Sequence, residues 1–271
     1  MKCDTKYPIF LIHGTGFRDY KHFNYWGRIP SALEEEGASI HYGNQDCWGS
    51  VADNASIIKD TLEKFFEETQ CEKVNILAHS KGGLEARYLI STLGMESKIA
   101  SLTTIATPHH GSKSIDFVSK FPIWMFHFIA FFVNSFSRFV GDKKPDFFTT
   151  STQFSTKYMH EFNKNNPDSA EVYYQSYATV MKNPLSDILL WFPNFIINLI
   201  EGENDGLVTP ESAKWTNFKG VLRGQTRRGI SHVDSIDARR KYFHSPKSVT
   251  GESNVLEFYI NLVSELKKMG F

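Results

Sequence analysis

A chain of 271 residues, 41% of them hydrophobic, is long enough to bury one large core. Thirty basic residues balance thirty acidic ones, so no overall field points to nucleic acid or an anionic surface, and partners have to be sought in local features. Cys3, Cys47 and Cys71 are odd in number and lack C-x-x-C spacing, which argues against a disulfide framework or a zinc ribbon.

The first six residues are polar and contain no secretory apolar region, so the expectation is a cytoplasmic protein or one whose leader has been removed. Tyr7 to Ile12 is almost wholly apolar, as in a strand buried on both faces, and it ends at His13-Gly14-Thr15-Gly16-Phe17. Glycines there let the backbone turn with its N–H groups facing inward, which an oxyanion site requires. Residues 27 to 36 read as a helix closed by Gly37, residues 38 to 42 as a strand, and residues 53 to 69 as an amphipathic helix. Val74 to Ala78 is a further strand. It breaks at Ala78-His79-Ser80-Lys81-Gly82 and passes into a helix, matching the strand–turn–helix corner that lifts a serine hydroxyl toward substrate. Residues 99 to 106 form the next strand, which runs into Thr107-Pro108-His109-His110-Gly111. Adjacent histidines project in different directions, so this pair is not read as a metal site.

From Ser112 to about Asn163 the character changes. Twelve of the 23 phenylalanines fall between Phe117 and Phe162. A membrane span is disfavoured, because His127, Asn134, Ser135, Ser137 and Arg138 interrupt the apolar window and no comparable span returns the chain. Buried core helices and a mobile apolar cover over a site both remain, and the cover is the reading adopted. Residues 171 to 180 alternate as a strand, and residues 185 to 200 form a second apolar segment. The loop Glu201-Gly202-Glu203-Asn204-Asp205-Gly206 follows, then a glycine- and arginine-rich stretch ending at His232-Val233-Asp234, and an amphipathic helix over residues 254 to 268.

A serine nucleophile needs a histidine base, and that base needs a carboxylate to hold its tautomer. On a sheet of this type the order along the chain is serine, acid, histidine. Only His232 and His244 come late enough, and His232 has the glycine-led loop. Asp205 precedes it by 27 residues, whereas Asp187 sits in an apolar segment and Asp234 and Asp237 are out of order. The candidate triad is Ser80, Asp205 and His232.

These motifs, taken with Thr107-Pro108-His109-His110-Gly111 and Asn204-Asp205-Gly206-Leu207-Val208, occur in family order over residues 7 to 240, and the chain resembles the bacterial true lipases of the α/β-hydrolase fold. The resemblance implies oxyanion donors at the backbone N–H groups of Thr15 and Lys81, and a lid at the aromatic insertion. It implies no zinc, since residues 44 to 60 are too short for the zinc-binding insertion of some relatives. A structural calcium is the remaining option, with Asp187 and Asp234 as its ligands, the alternative for Asp234 being helix capping or a salt bridge to Arg239 or Arg240. No cofactor is needed for the chemistry.

The expected architecture is one α/β-hydrolase domain over 1–271, with a mostly parallel sheet, helices on both faces, a lid at about 112–165 and a second apolar cap at about 182–200. The expected function is a serine carboxylester hydrolase acting on apolar esters at an oil–water interface, a triacylglycerol lipase above all. Polyester- or cutin-like hydrolase, phospholipase and catalytically silent lipid binder stay open as alternatives, with no nucleic-acid partner and no transmembrane span.

Overall fold

The structure is a computed structural model, and residues 1–19, 24–120, 122–224, 227–238 and 255–271 are described. Strand β1 (Ile9–Ile12) is followed by α1 (Ile29–Glu35), β2 (Ile40–Tyr42), α2 (Val51–Thr69), β3 (Val74–His79), α3 (Lys81–Ser91) and β4 (Ile99–Ile105). Four helices then precede the next strand: α4 (Lys113–Val118), α5 (Ile123–Phe139), α6 (Phe147–Thr152) and α7 (Thr156–Asn165). The remainder is β5 (Tyr173–Thr179), α8 (Trp191–Ile200), α9 (Pro210–Ala213), β6 (Phe218–Leu222) and α10 (Val255–Lys268).

The strands lie in the order β2-β1-β3-β4-β5-β6, every neighbouring pair parallel. A parallel sheet needs cover on both faces, and the alternation along β1 supplies it. Ile9 and Leu11 join the core formed with Trp26, Ile29, Leu33 and Leu262, while Phe10 and Ile12 join the opposite core with Ile58, Leu62 and Leu89. Strand order reverses between β1 and β3, and the carboxyl ends of those two strands are where an open α/β sheet holds its ligand. Strand β6 went unread in the sequence because Lys219 and Gly220 break its apolar pattern, and Gly220 has φ +131°.

Helix α2 begins two residues earlier than its periodicity suggests. Ser50 caps it, accepting from Asp53 N–H at 3.2 Å, and Gln70 closes it in the left-handed region.

The insertion between β4 and β5 departs from ordinary packing. In α5 the buried described side chains are Ala130 and Ser137, seven residues apart on one stripe, while Phe126 is half-buried and Phe128, Phe131, Phe132, Phe136 and Phe139 face outward. The core reading is thereby overturned for α5, whereas Met159 and Phe162 of α7 are buried in a core with Val51 and Leu84. The carboxyl end of α5 is clasped to the loop after β2 from both sides. Asp142 Oδ1 and Oδ2 accept from Cys47 and Trp48 N–H at 3.0 and 3.1 Å, and Asp46 Oδ2 accepts from Lys143 and Lys144 N–H at 2.8 and 2.7 Å. Among the described residues no helix is long and apolar enough to cross a membrane.

Candidate active site

Ser80 stands between β3 and α3 with φ 55° and ψ −130°, a region that non-glycine residues rarely occupy. Such strain persists only where the surroundings over-determine it. Ser80 N–H donates to Ile105 O at 3.0 Å, and glycines let neighbouring backbone close in. A Cβ on Gly14 would lie 2.7 Å from Ser80 Cβ, and one on Gly82 would lie 2.5 Å from the carbonyl oxygens of Ile12 and His13. The turn after β1 is therefore pressed against the serine corner, which brings Thr15 and Lys81 to the same end of the sheet. Lys81 opens α3, where the first N–H groups have no helical partner and face outward along a positive dipole end.

His232 and Asp205 are joined twice. His232 N–H donates to Asp205 O at 2.8 Å, and His232 Nδ1 lies 2.8 Å from Asp205 Oδ2. Asp205 is fully buried. Its Oδ2 also accepts from Thr179 Oγ1 at 2.7 Å, and its Oδ1 from Leu207 and Val208 N–H at 3.0 and 2.8 Å. A carboxylate so held only accepts, so Nδ1 of His232 carries the hydrogen and Nε2 keeps its lone pair. The His232 ring packs 4.5 Å from the ring of His79, the residue next to Ser80. Ser80 thus follows His79 at the carboxyl end of β3, and the bonded His232–Asp205 pair lies against that same histidine.

Several residues that sequence reasoning passed over complete the site. His79 is buried, and burial pushes its imidazole well below the usual range, helped by the neighbouring His232. Ser235 Oγ donates to His232 O at 2.6 Å, which leaves it to accept from His79 Nε2 at 2.8 Å. His79 Nδ1 therefore accepts from Tyr25 Oη, also at 2.8 Å.

The side chain of Lys81, the residue after the nucleophile, is completely buried. Its Nζ donates to Gly49 O at 2.8 Å and is paired with Glu85, one helical turn on, whose Oε1 also accepts from Asn54 Nδ2 at 2.7 Å. The i,i+4 spacing of a lysine and a glutamate directly after the nucleophile was the available signal. Burial raises the Glu85 carboxyl, against the opposing pull of Lys81.

Under the turn after β1, His13 is pushed down to about 4 by burial. Asp19 is pushed up to about 8, also by burial, and neither of its carboxyl oxygens has a hydrogen-bond partner among the described residues.

The carboxylates considered for calcium are engaged elsewhere. Asp187 is buried and its Oδ1 accepts from Leu189 and Leu190 N–H at 2.9 and 3.3 Å, while Asp234 Oδ2 accepts from Ser231 N–H at 3.3 Å. Beside Asp187, the Ser186 carbonyl is taken by the guanidinium of Arg228. Among the described residues no three acidic, histidine or cysteine side chains converge as a metal-holding group. A calcium ion takes six to eight oxygens, so Asp187 and Asp234 would have to be joined there by main-chain carbonyls. Arg239, Arg240 and His244 lie outside the described residues.

The family model for palmitoyl protein thioesterase matches residues 8–233. The chain belongs to that family. Triacylglycerol lipase 2 of Saccharomyces cerevisiae is 28% identical over 283 residues, covering 100% of this chain and 78% of that protein. A triacylglycerol lipase of Pseudarthrobacter phenanthrenivorans is 32% identical over 181 residues, 61% of this chain, and the match spans only about half, 55%, of that relative's length. Among solved structures, Staphylococcus hyicus lipase superposes with a TM-score of 0.67 at 16% identity, over 98% of both chains. A metagenomic carboxyl esterase superposes with a TM-score of 0.69 at 14% identity, over 97% of this chain and 76% of the other. At those identities the structural likeness speaks for the fold, and the fold is the α/β-hydrolase architecture of the lipases.

Proposed function

We infer that this protein is a carboxylic ester hydrolase, a lipase or esterase, that works through Ser80, His232 and Asp205. The observation that carries the reading is the doubly bonded, buried His232–Asp205 pair beside a serine held at positive φ. Ser80 Oγ attacks the acyl carbonyl as His232 Nε2 takes its proton. The N–H groups of Thr15 and Lys81 receive the developing oxyanion. His232 then returns the proton to the departing alcohol, leaving an acyl group on Ser80, and water repeats the two steps to release the acid. Asp205, with four accepted hydrogen bonds, keeps the imidazole in the tautomer that can accept.

Apolar acyl esters are the substrate class this reading favours, triacylglycerols first, in keeping with what the curated relatives are called. The insertion of α4 to α7 serves as the lid. A second reading, acyl thioesters, is favoured by the family match. Both use the same acyl-enzyme and differ in the leaving atom.

Hydrolysis of tributyrin and of a palmitoyl thioester, by wild type and by Ser80→Ala, tests the proposal. Ser80→Ala is expected to lose at least about a thousandfold in kcat/KM on whichever substrate is turned over. Retention of more than that by the variant removes Ser80 as the nucleophile, and the ratio of the two wild-type rates decides between ester and thioester.

A further inference from the structure

Two segments of this chain are packed with their polarity inverted. On α5 the small residues Ala130 and Ser137 face the protein, while Trp124, Phe128, Phe131, Phe132, Phe136 and Phe139 face outward, 58% to 88% exposed. On α8 Asn194, bonded to Asn204 Oδ1 at 2.7 Å, faces inward beside Ile197, while Trp191, Phe192, Phe195 and Leu199 face outward. The turn before α8 repeats the pattern, with Ser186 and Asp187 buried and Leu185, Ile188 and Leu189 exposed at 76% to 85%. The segments are tied together, since Ser112 Oγ and Ser114 N–H, at the start of α4, donate to Glu201 at the end of α8 at 2.7 and 2.8 Å. Water alone does not stabilise so much contiguous apolar surface.

The charges around this surface identify what covers it. Residues 112–145 and 182–200 contain three carboxylates, and all three are turned inward. Asp116 accepts from Thr156, Asp142 from Cys47 and Trp48, and Asp187 from Leu189. The cations Lys113, Lys120, Arg138, Lys143 and Lys182 of the same segments are exposed. An outward face that is aromatic at its centre and carries exposed cations, with no exposed acid within these two segments, suits an interface where acyl chains lie beneath anionic headgroups. A second copy of the chain suits it badly, because a two-fold contact would set the same cations against themselves. Neutral oil would leave the cations without a role.

We propose that α5, α8 and the turn before α8 dock this protein on an anionic phospholipid bilayer, lying in the headgroup plane with the aromatic side chains in the acyl region. The two tryptophans, Trp124 and Trp191, sit near the amino ends of their helices, and this side chain favours the interfacial layer. Docking goes beyond the hydrolase reading and is independent of turnover, so the two are tested separately.

The test is co-sedimentation of the full Ser80→Ala chain with vesicles of phosphatidylcholine, with and without phosphatidylglycerol. The expected result is at least about tenfold stronger partitioning onto the anionic vesicles, a preference that raised salt abolishes. Phe128→Asp/Phe132→Asp is expected to lose binding to both vesicles while its melting temperature stays near that of the parent, the positions being exposed. Lys120→Gln/Lys143→Gln/Lys182→Gln is expected to lose only the preference for phosphatidylglycerol. Equal partitioning onto both vesicles overturns the anionic assignment. Unchanged binding by the phenylalanine variant overturns the surface. Absence of vesicle binding together with a dimer in light scattering assigns the face to a second copy instead.

Discussion

His79 Nε2 lies 2.8 Å from Ser235 Oγ, and the one hydrogen of that hydroxyl is given to the main-chain oxygen of His232. The residue preceding the nucleophile thereby holds the backbone of the base. Removing the hydroxyl leaves a buried His79 N–H without its acceptor and frees the His232 carbonyl.

Ser235→Ala is expected to lower kcat about tenfold or more with KM nearly unchanged, because the bond acts on the placement of the base and not on the substrate. It should also cost about 1–3 kcal/mol of stability through the unsatisfied group. Steady-state kinetics and denaturant unfolding measure the two effects, and a rise in KM with kcat intact would contradict the placement.

Lys81 and Glu85 form a buried pair, so breaking it from one side is expected to be worse than removing it whole. Lys81→Met should destabilise by about 3 kcal/mol, moderated by protonation of Glu85, whose carboxyl burial already pushes upward. Lys81→Met/Glu85→Leu should regain most of that loss. Chemical denaturation of the two single variants and the double variant gives the answer, and strictly additive losses would show that the pair is not a unit.

Asp19 links stability to pH in a direction opposite to that of most carboxylates. Its pKa in the folded chain, about 8, is raised above the ordinary 3.8, so its contribution is full below pH 3.8 and is lost as pH rises through 8. Asp19→Asn removes the need to ionise. The variant's advantage over wild type is therefore expected to grow from pH 6 to pH 9, toward an upper bound of roughly 6 kcal/mol. Melting temperatures across that range test it, and a gap that does not widen would place the Asp19 carboxyl in a wetter setting.

Chelation is expected to leave the melting curve and the ester-cleaving rate unchanged, since Asp187 and the Ser186 carbonyl are served from within the chain. Calorimetry with and without EDTA checks this. A lowered transition restored by added calcium would show that Asp187 and Asp234 trade these partners for a cation.

Much of this could be read from the order of residues because it is local. Apolar runs bounded by glycine located β1, β3 and β4, and the serine corner and the aspartate and histidine loops are each set by a few neighbouring residues. What stayed hidden depends on contacts between distant residues. Nothing near Lys81 says that Gly49 will receive it, nothing near His79 says that Ser235 will, and the inverted face of α5 shows only once Ala130 and Ser137 are seen to be the buried side. Hydropathy counts phenylalanines, and it takes packing to say which way they point.

The clasp made by Asp46 and Asp142 has a mechanical meaning. It binds the carboxyl end of α5 to the loop after β2 through four main-chain N–H groups, while the amino end joins α4 across four residues. A rod fastened at one end turns about that end. Any swing of α5 therefore moves Trp124 through the widest arc and Phe139 through the narrowest, so the tryptophan is the place for a spectroscopic reporter of the motion.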